Sequence, residues 1–303
     1  MVGDSKVNNY GNINNFGLHF KNTNAIGKNS PRYSSDPQLD LMGIFEFNSS
    51  LPLIKQNDIY SSSLTPKVSF RINPNNMKKH TNDDRIITAD NIFNIDRLSL
   101  DDSFESGKSI TYGVDFRREN VNDANRYTQL NLASVIRDVE ESNIPKKTTL
   151  NKKNSNIFGS VDHSISNFLE LGYDFSIDND FEQFDYNAIG LDVSVNNFVT
   201  KFNFIEENNI MGDKSSIQNI TTLNLNENNF FSFQTRRNRK INLTEYYDLV
   251  YEYKNDCLTA GIKYKKTFYE DRELKPTEDL FFTITLIPLT SVDQKISQGL
   301  YQK

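Results

Sequence analysis

The chain has 303 residues, 36% of them hydrophobic and 24% charged, with a formal net charge of -6, which excludes wholesale disorder and leaves room for one large β domain. Its mean hydropathy is -0.62, and no run approaches the roughly 18 to 20 apolar residues of a membrane helix, so a helical membrane protein is excluded while a strand-built one is not. The acidic balance argues against nucleic acid as a partner, because phosphate binding needs clustered Lys and Arg.

Met1 is followed by VGDSKVNNYGN, which has neither a basic n-region nor an apolar h-region, so no secretory signal is expected and an exported protein would lack its beginning. From there the dominant pattern is alternation with a period of two, the signature of strands with two unlike faces. The early strands are Asn14 to Lys21, Asp40 to Ile54, Pro66 to Asn73, Lys108 to Arg117 and Arg126 to Arg137. From residue 155 the rhythm tightens, with strands at 155–163, 167–178, 184–195, 198–206, 216–226, 229–238, 245–254, 258–267 and 279–288. The sum is about fourteen strands of roughly 8 to 15 residues, the range of strands that cross an outer membrane and protrude from it.

The hairpin from Glu245 to Lys266 carries the pattern furthest. Tyr247, Leu249, Tyr251 and Tyr253 alternate with Asp248, Val250, Glu252 and Lys254, and Leu258, Ala260, Ile262 and Tyr264 with Thr259, Gly261, Lys263 and Lys265. One face is aromatic and aliphatic; the other, Val250 apart, is polar or charged. Such a strand suits lipid on one side and a wet lumen on the other. The expected outward set is Leu169, Tyr173, Phe231, Phe233, Leu249, Tyr251, Ile262 and Ile284.

The connections alternate in length. Tight turns rich in Asn and Asp near Ser164 to Ser166, Asn196-Asn197, Asn226 to Asn228 and Lys254 to Asp256 separate longer loops at Asn22 to Leu39, Pro74 to Gly107, Asp138 to Asn154 and Thr267 to Asp279. Strand counting puts all four long loops on one side, the pattern of external loops and periplasmic turns. The loop from Pro74 to Gly107 contains Ile92, Phe93, Ile95, Leu98 and Leu100, too apolar for a free loop, and is expected to pack on itself or into a barrel mouth. The fold class is therefore all-β, an antiparallel up-and-down transmembrane β-barrel, present in part.

No catalytic constellation is expected. Asp162-His163-Ser164 contains triad residue types, but strand neighbours point to opposite faces and cannot assemble a triad. His19 and His80 lack partners at metal-ligand spacing, so neither metal nor cofactor is expected. Asp101-Asp102 and Glu140-Glu141 read as solvated loop residues or as sites for divalent cations that bridge lipid phosphates. Arg236, Arg237, Arg239 and Lys240 form a basic cluster that reads as a solvated tip or as a contact for lipid phosphates at the membrane surface.

Three stretches, TPKVSFRINPNNM (65–77), RIITADNIFNIDRLSLDDSFESGKSITYGVDF (85–116) and YYDLVYEYKNDCLTAGIKYKKTFYEDRELKPTEDLFFTITLIPL (246–289), resemble the C-terminal part of the lipopolysaccharide-assembly family LptD, once called organic solvent tolerance protein. The resemblance runs from about residue 40 to about 290, leaving 290–303 as a tail. It implies a Gram-negative outer-membrane barrel without enzymatic activity that inserts lipopolysaccharide into the outer leaflet through a seam between its first and last strands. Implied partners are lipopolysaccharide, an LptE-like plug lipoprotein inside the barrel, a periplasmic bridge docked to an N-terminal jellyroll, and the barrel-assembly machinery. Against that family the chain lacks the signal peptide, the jellyroll and about half of the strands, and so reads as a fragment with exposed edges at Asn14 to Lys21 and Asp279 to Pro288. The seam strand would carry Phe282, Ile284, Leu286 and Pro288. The resemblance also implies that Cys257, in a periplasmic turn, is oxidised to a cysteine outside this chain; a semi-buried thiol at a strand start is the plainer reading. The alternative for the whole is a generic diffusion porin or structural surface β-barrel.

Overall fold

The computed structural model describes residues 5–30, 32–268 and 276–286, and the backbone of 290–299. The strands are β1 (Lys6–Val7), β2 (Ile13–Ala25), β3 (Gln38–Ser50), β4 (Leu53–Gln56), β5 (Tyr60–Asn73), β6 (Gly107–Asn120), β7 (Asp123–Arg137), β8 (Ile157–Ser166) and β9 (Leu169–Ile177). They continue as β10 (Phe184–Val195), β11 (Phe198–Glu207), β12 (Ser215–Asn226), β13 (Asn229–Asn238), β14 (Leu243–Lys254), β15 (Leu258–Thr267), β16 (Thr277–Leu286) and β17 (Thr290–Gly299). The helical pieces among the described residues are short 3-10 turns at Lys146–Thr148 and Asn209–Met211. The fold is all-β, antiparallel and up-and-down, as the alternation predicts.

Three strands were not expected. β1 is a two-residue partner for the start of β2. β4 arises because the expected strand from Asp40 to Ile54 breaks at Leu51-Pro52: β3 pairs with one half of β5 and β4 with the other. Pro66 of β5 lies opposite the break, its carbonyl accepting from the Leu51 N–H at 3.0 Å, so prolines on both strands fall where the ladder is already interrupted. β17 replaces the expected tail and pairs with β16 along its whole length. β16 is therefore flanked on both sides, by β15 and β17, and is not an edge strand. Pro288 lies outside the described residues.

The chain divides into two compact units. The first comprises Met1–His163, Tyr173–Asn187 and Asn208–Gly212; the second, Ser164–Gly172, Ala188–Glu207 and Asp213–Lys303.

In the first unit the strands separate their residues cleanly by face. Phe47, Phe70, Ile110 and Ile136 stand opposite one another across β3, β5, β6 and β7, all exposed. One residue along, Glu46, Arg71, Ser109 and Arg137 form the adjacent cross-strand row on the other face, all buried. The cover over that face is not a second sheet but the loops at 74–106 and 138–156. Met77, Ile87, Ile92, Leu98 and Leu100 from the first loop and Ile144 and Leu150 from the second pack with Ala133, Val135, Phe158 and Met211 into one apolar cluster. The expected packing of the long loop is thus found, with Phe93 against this cluster and Ile95 against a smaller one of Met42, Ile44 and Phe104. Gly113 makes room for Phe93: a Cβ there would lie 3.1 Å from its ring and 2.5 Å from the Leu132 carbonyl.

The second unit is a run of hairpins in which both expected faces are realised. Phe231, Tyr251, Ile262 and Phe282 form one cross-strand row over β13 to β16. Phe233, Leu249, Tyr264 and Leu280 form the next row on that face. Gln234, Asp248, Lys265 and Asp279 align on the opposite face, where Lys263 pairs with Asp248 at 3.2 Å. No described residue of this unit belongs to a buried apolar cluster. Leu249, Tyr251, Ile262 and Ile284 are exposed and Phe231 and Phe233 half-buried, so this expected apolar set is not a core between two sheets. Short connections occur at one kind of strand end and longer ones at the other throughout, and Asn196 takes the left-handed φ of 51° that its tight turn demands.

Candidate functional site

The most ordered chemistry in the chain sits where the 74–106 loop meets the polar row of the first unit. β5 and β7 present Arg71 and Arg137 two strands apart, with Ser109 of β6 between them. The loop lowers Arg97 and Glu105 onto this row. Arg97 holds Glu105 with both ends of its fork, at 2.6 Å each, and donates to Thr111 Oγ1 at 2.8 Å and to the Ile92 carbonyl at 3.2 Å. Arg137 donates to the same carboxylate and to the Ser106 carbonyl. Arg71 Nε donates to Glu46 at 2.8 Å, and Ser69 donates to the same oxygen at 3.0 Å. The side chains of Arg97 and Glu105 are 0% and 6% exposed. Burial alone would raise the Glu105 carboxyl, but the charges of Arg97, Arg137 and Arg71 and the bonds from Arg97 outweigh it and hold it down at about 2. Gly107, at a φ of 82°, closes the loop into β6 where a Cβ would crowd the Arg137 guanidinium at 3.1 Å.

A second knot ties three loops together. His80 is buried, with Nδ1 2.7 Å from Asp83 and Nε2 2.7 Å from Asp102. Tyr33 donates to Asp102, and Arg32 pairs with Asp83 at 2.8 Å, so the loop at 26–37 is fastened to the loop at 74–106. The His80 backbone N–H donates to the Asn143 carbonyl at 2.9 Å, and Thr81 donates to that of Ser142 at 2.7 Å, which brings in the loop at 138–156. Burial works to raise Asp102, but the bond from Tyr33 and the charge of His80 prevail and lower it; Asp83, which burial would also raise, is lowered in the same sense by His80 and Arg32. Asp102 and Glu141, read from sequence as solvated acids or cation sites, are instead partners inside this packing, Glu141 accepting from Ser106 at 2.6 Å. His163, at the end of β8, shares a 2.8 Å hydrogen bond with Thr128 and gathers no triad partner among the described residues.

The residues expected from sequence lie elsewhere and do not converge on one site. Of the basic cluster, Arg236 pairs with Glu245 at 3.0 Å, Arg239 approaches Glu206 at 3.9 Å and Lys240 pairs with Asp213. Arg237 donates to Asn242, and among the described residues it alone of the four has no carboxylate partner. Cys257 is exposed in the three-residue turn between β14 and β15, where its N–H donates to Asn255 Oδ1 at 3.0 Å in a side-chain-closed turn. Phe282, Ile284 and Leu286 lie on the apolar face of β16, all exposed. Sequence reasoning missed the buried charges because charged residues read as solvent-facing. The signal was present in parity: Glu46, Arg71 and Arg137 each alternate away from the apolar face of their strands.

An antiparallel up-and-down chain with one apolar, uncovered strand face and one polar face defines a strand-built membrane protein of the outer-membrane kind. The chain belongs to the LptD family, described as LPS transport system D, whose model matches residues 13–247. It is accordingly a Gram-negative outer-membrane protein of a β-barrel family of transport and assembly components. The match begins before the stretch recognised from sequence and ends within β14, so the Cys257 turn, β15 and β16 lie beyond it. Comparison with curated proteins finds no match. Among solved structures, two mutant forms of Rhodopseudomonas blastica porin, one with three substitutions and one with two, each align over 94% of both chains at 8% identity with a TM-score of 0.36. At that level nothing about this chain's shape or function follows from the porins.

Proposed function

We propose that this chain serves the transport of lipopolysaccharide across the outer membrane as the strand-built wall past which the lipid moves, delivering it to the outer leaflet without chemistry on it. The observation that carries this reading is the family match over residues 13–247. The apolar rows at Phe231 and Phe233 would face lipid, and the Asp248 and Lys263 side would face the path of the saccharide and phosphates. The seam for lateral release would lie at β17, one strand beyond β16, whose Phe282, Ile284 and Leu286 would face the bilayer. Arg237 is the member of the basic cluster whose charge is left for a lipid A phosphate. Cys257 would be oxidised to a cysteine of another segment, for which its exposed turn is suited. A plug lipoprotein and a periplasmic bridge would complete the assembly.

Photo-crosslinking probes at Lys263 and Thr283 on the polar face, and at Ile262 on the apolar face, test this in cells that depend on the chain. The expected result is lipopolysaccharide attached to the polar-face probes. If those probes capture none while the chain conducts small solutes across vesicles, it is a diffusion barrel instead. For Cys257, identical gel migration with and without reductant in the native envelope would remove the disulfide from the proposal.

A further inference from the structure

The buried polar row carries more positive charge than it neutralises. Arg71, Arg97 and Arg137 face Glu46 and Glu105, three guanidinium groups against two carboxylates, in a region covered by the 74–106 loop. The excess charge lies at Glu105, which two guanidinium groups share, and the unmet donors lie beside it on Arg71. Glu105 is taken up by Arg97 and Arg137. Glu46 receives Arg71 only through Nε, at 2.8 Å. The two terminal nitrogens of Arg71 find no acceptor among the described residues, although both are shut off from solvent and the side chain is 3% exposed. Ser109 stands directly across from Arg71 and also receives Arg97 at 3.3 Å, so a second guanidinium borders the same spot.

A buried group with one cation more than its carboxylates is costly to desolvate, and buried donors without acceptors are rare enough to require an explanation. Water would satisfy the hydrogen bonds but leave the charge. An anion satisfies both. We infer that the Arg71 terminal nitrogens, bordered by Arg97 and Ser109, hold one small inorganic anion of the halide class, which completes the charge balance and locks the loop onto the strands. A monatomic ion is favoured over phosphate or a lipid headgroup because both nitrogens are closed to solvent. This inference does not depend on what the chain transports.

The test uses the full chain, folded in detergent, with chloride or bromide exchanged against gluconate at constant ionic strength. The expected result is a saturable rise in Tm, about 2 to 4 °C at tenfold excess over the dissociation constant. Crystals grown in bromide should show an anomalous peak within hydrogen-bond distance of Arg71 Nη1 or Nη2. Ser109→Asp supplies a carboxylate at the same place and should abolish the halide dependence without lowering Tm in gluconate. Arg71→Met should also abolish it. A Tm indifferent to halide, a bromide crystal with water alone at those nitrogens, or a halide effect undiminished in Ser109→Asp would each overturn the inference.

Discussion

Replacing Glu105 by Gln is the sharpest perturbation the structure offers, because it removes one charge and almost no volume. In the folded chain that carboxylate is held by the fork of Arg97 and by Arg137, with 6% of its side chain exposed. Two independent routes give its size. Breaking a buried ion pair from one side costs about 3 to 5 kcal/mol, since the partner charges remain buried and uncompensated. The depression of the Glu105 carboxyl from 4.5 to about 2 corresponds to about 3 kcal/mol at 1.36 kcal/mol per unit. Because the folded value is the lower one, this stabilisation is fully present above about pH 4.5 and is lost as pH falls toward 2. The assay is amide hydrogen exchange over residues 92–105, which reads the opening of the loop rather than the stability of the strands. Glu105→Gln should raise exchange there by about a hundredfold or more, whereas replacing the whole ionic group by apolar residues, Arg97→Met and Arg137→Met with Glu105→Leu, should recover much of the protection. Protection unchanged within about threefold in the single variant, or a triple variant worse than the single, would refute the reasoning.

Asp102→Asn should weaken the tie between the loops at 26–37 and 74–106 by about 1 to 3 kcal/mol, measured as faster tryptic cleavage beside Arg32. Since Asp83 and Asp102 both lie below the ordinary carboxylate value, the same tie should be at full strength above about pH 4 and be lost as pH falls on through their lowered values. Gly113→Val drives a branched side chain into the Leu132 carbonyl and Phe93, and should cost about 1 to 3 kcal/mol in thermal unfolding in detergent. Ile262→Lys, on the apolar face, should reduce folding into bilayers by about 2 to 4 kcal/mol if it sits near the mid-plane, while Thr259→Lys on the polar face should be tolerated; equal effects would contradict the assignment of faces.

Most of the strand framework was legible because a period of two needs only local sequence. The Tyr247 to Tyr253 alternation and its partner from Leu258 to Tyr264 appear in the structure in the register that the hairpin implies. The long loops were legible from turn chemistry, and the apolar run around Ile92 announced that one of them is packed. What could not be read was the use of charge. Arg97 and Glu105 sit eight residues apart in a loop, and nothing local distinguishes them from solvated neighbours until the loop folds onto Arg71 and Arg137. His80 was hidden for the same reason, since its partner Asp102 lies 22 residues away. β17 escaped because TSVDQKISQG offers no sustained apolar face, and its place comes from pairing with β16 rather than from its own pattern. With β17 in place, the orientation of the turns rests on connection length rather than on counting from the last strand.

The way the 74–106 loop is anchored dictates an order of assembly. Its ends belong to β5 and β6, whose hairpin register can close by itself. Its anchors do not: Glu105 waits for Arg137 of β7, and the charged row the loop covers exists only once β3, β5, β6 and β7 are paired. The ladders must therefore assemble that row before the loop has anything to dock on. The strands therefore zip while the row of charges is still wet, and the loop comes down afterwards, expelling water as it seals. In a pulse-labelling experiment during refolding, amides of β5 and β6 should gain protection before those of residues 92–105. The interior of this unit is the last part of it to form, and its own loop closes it from one end.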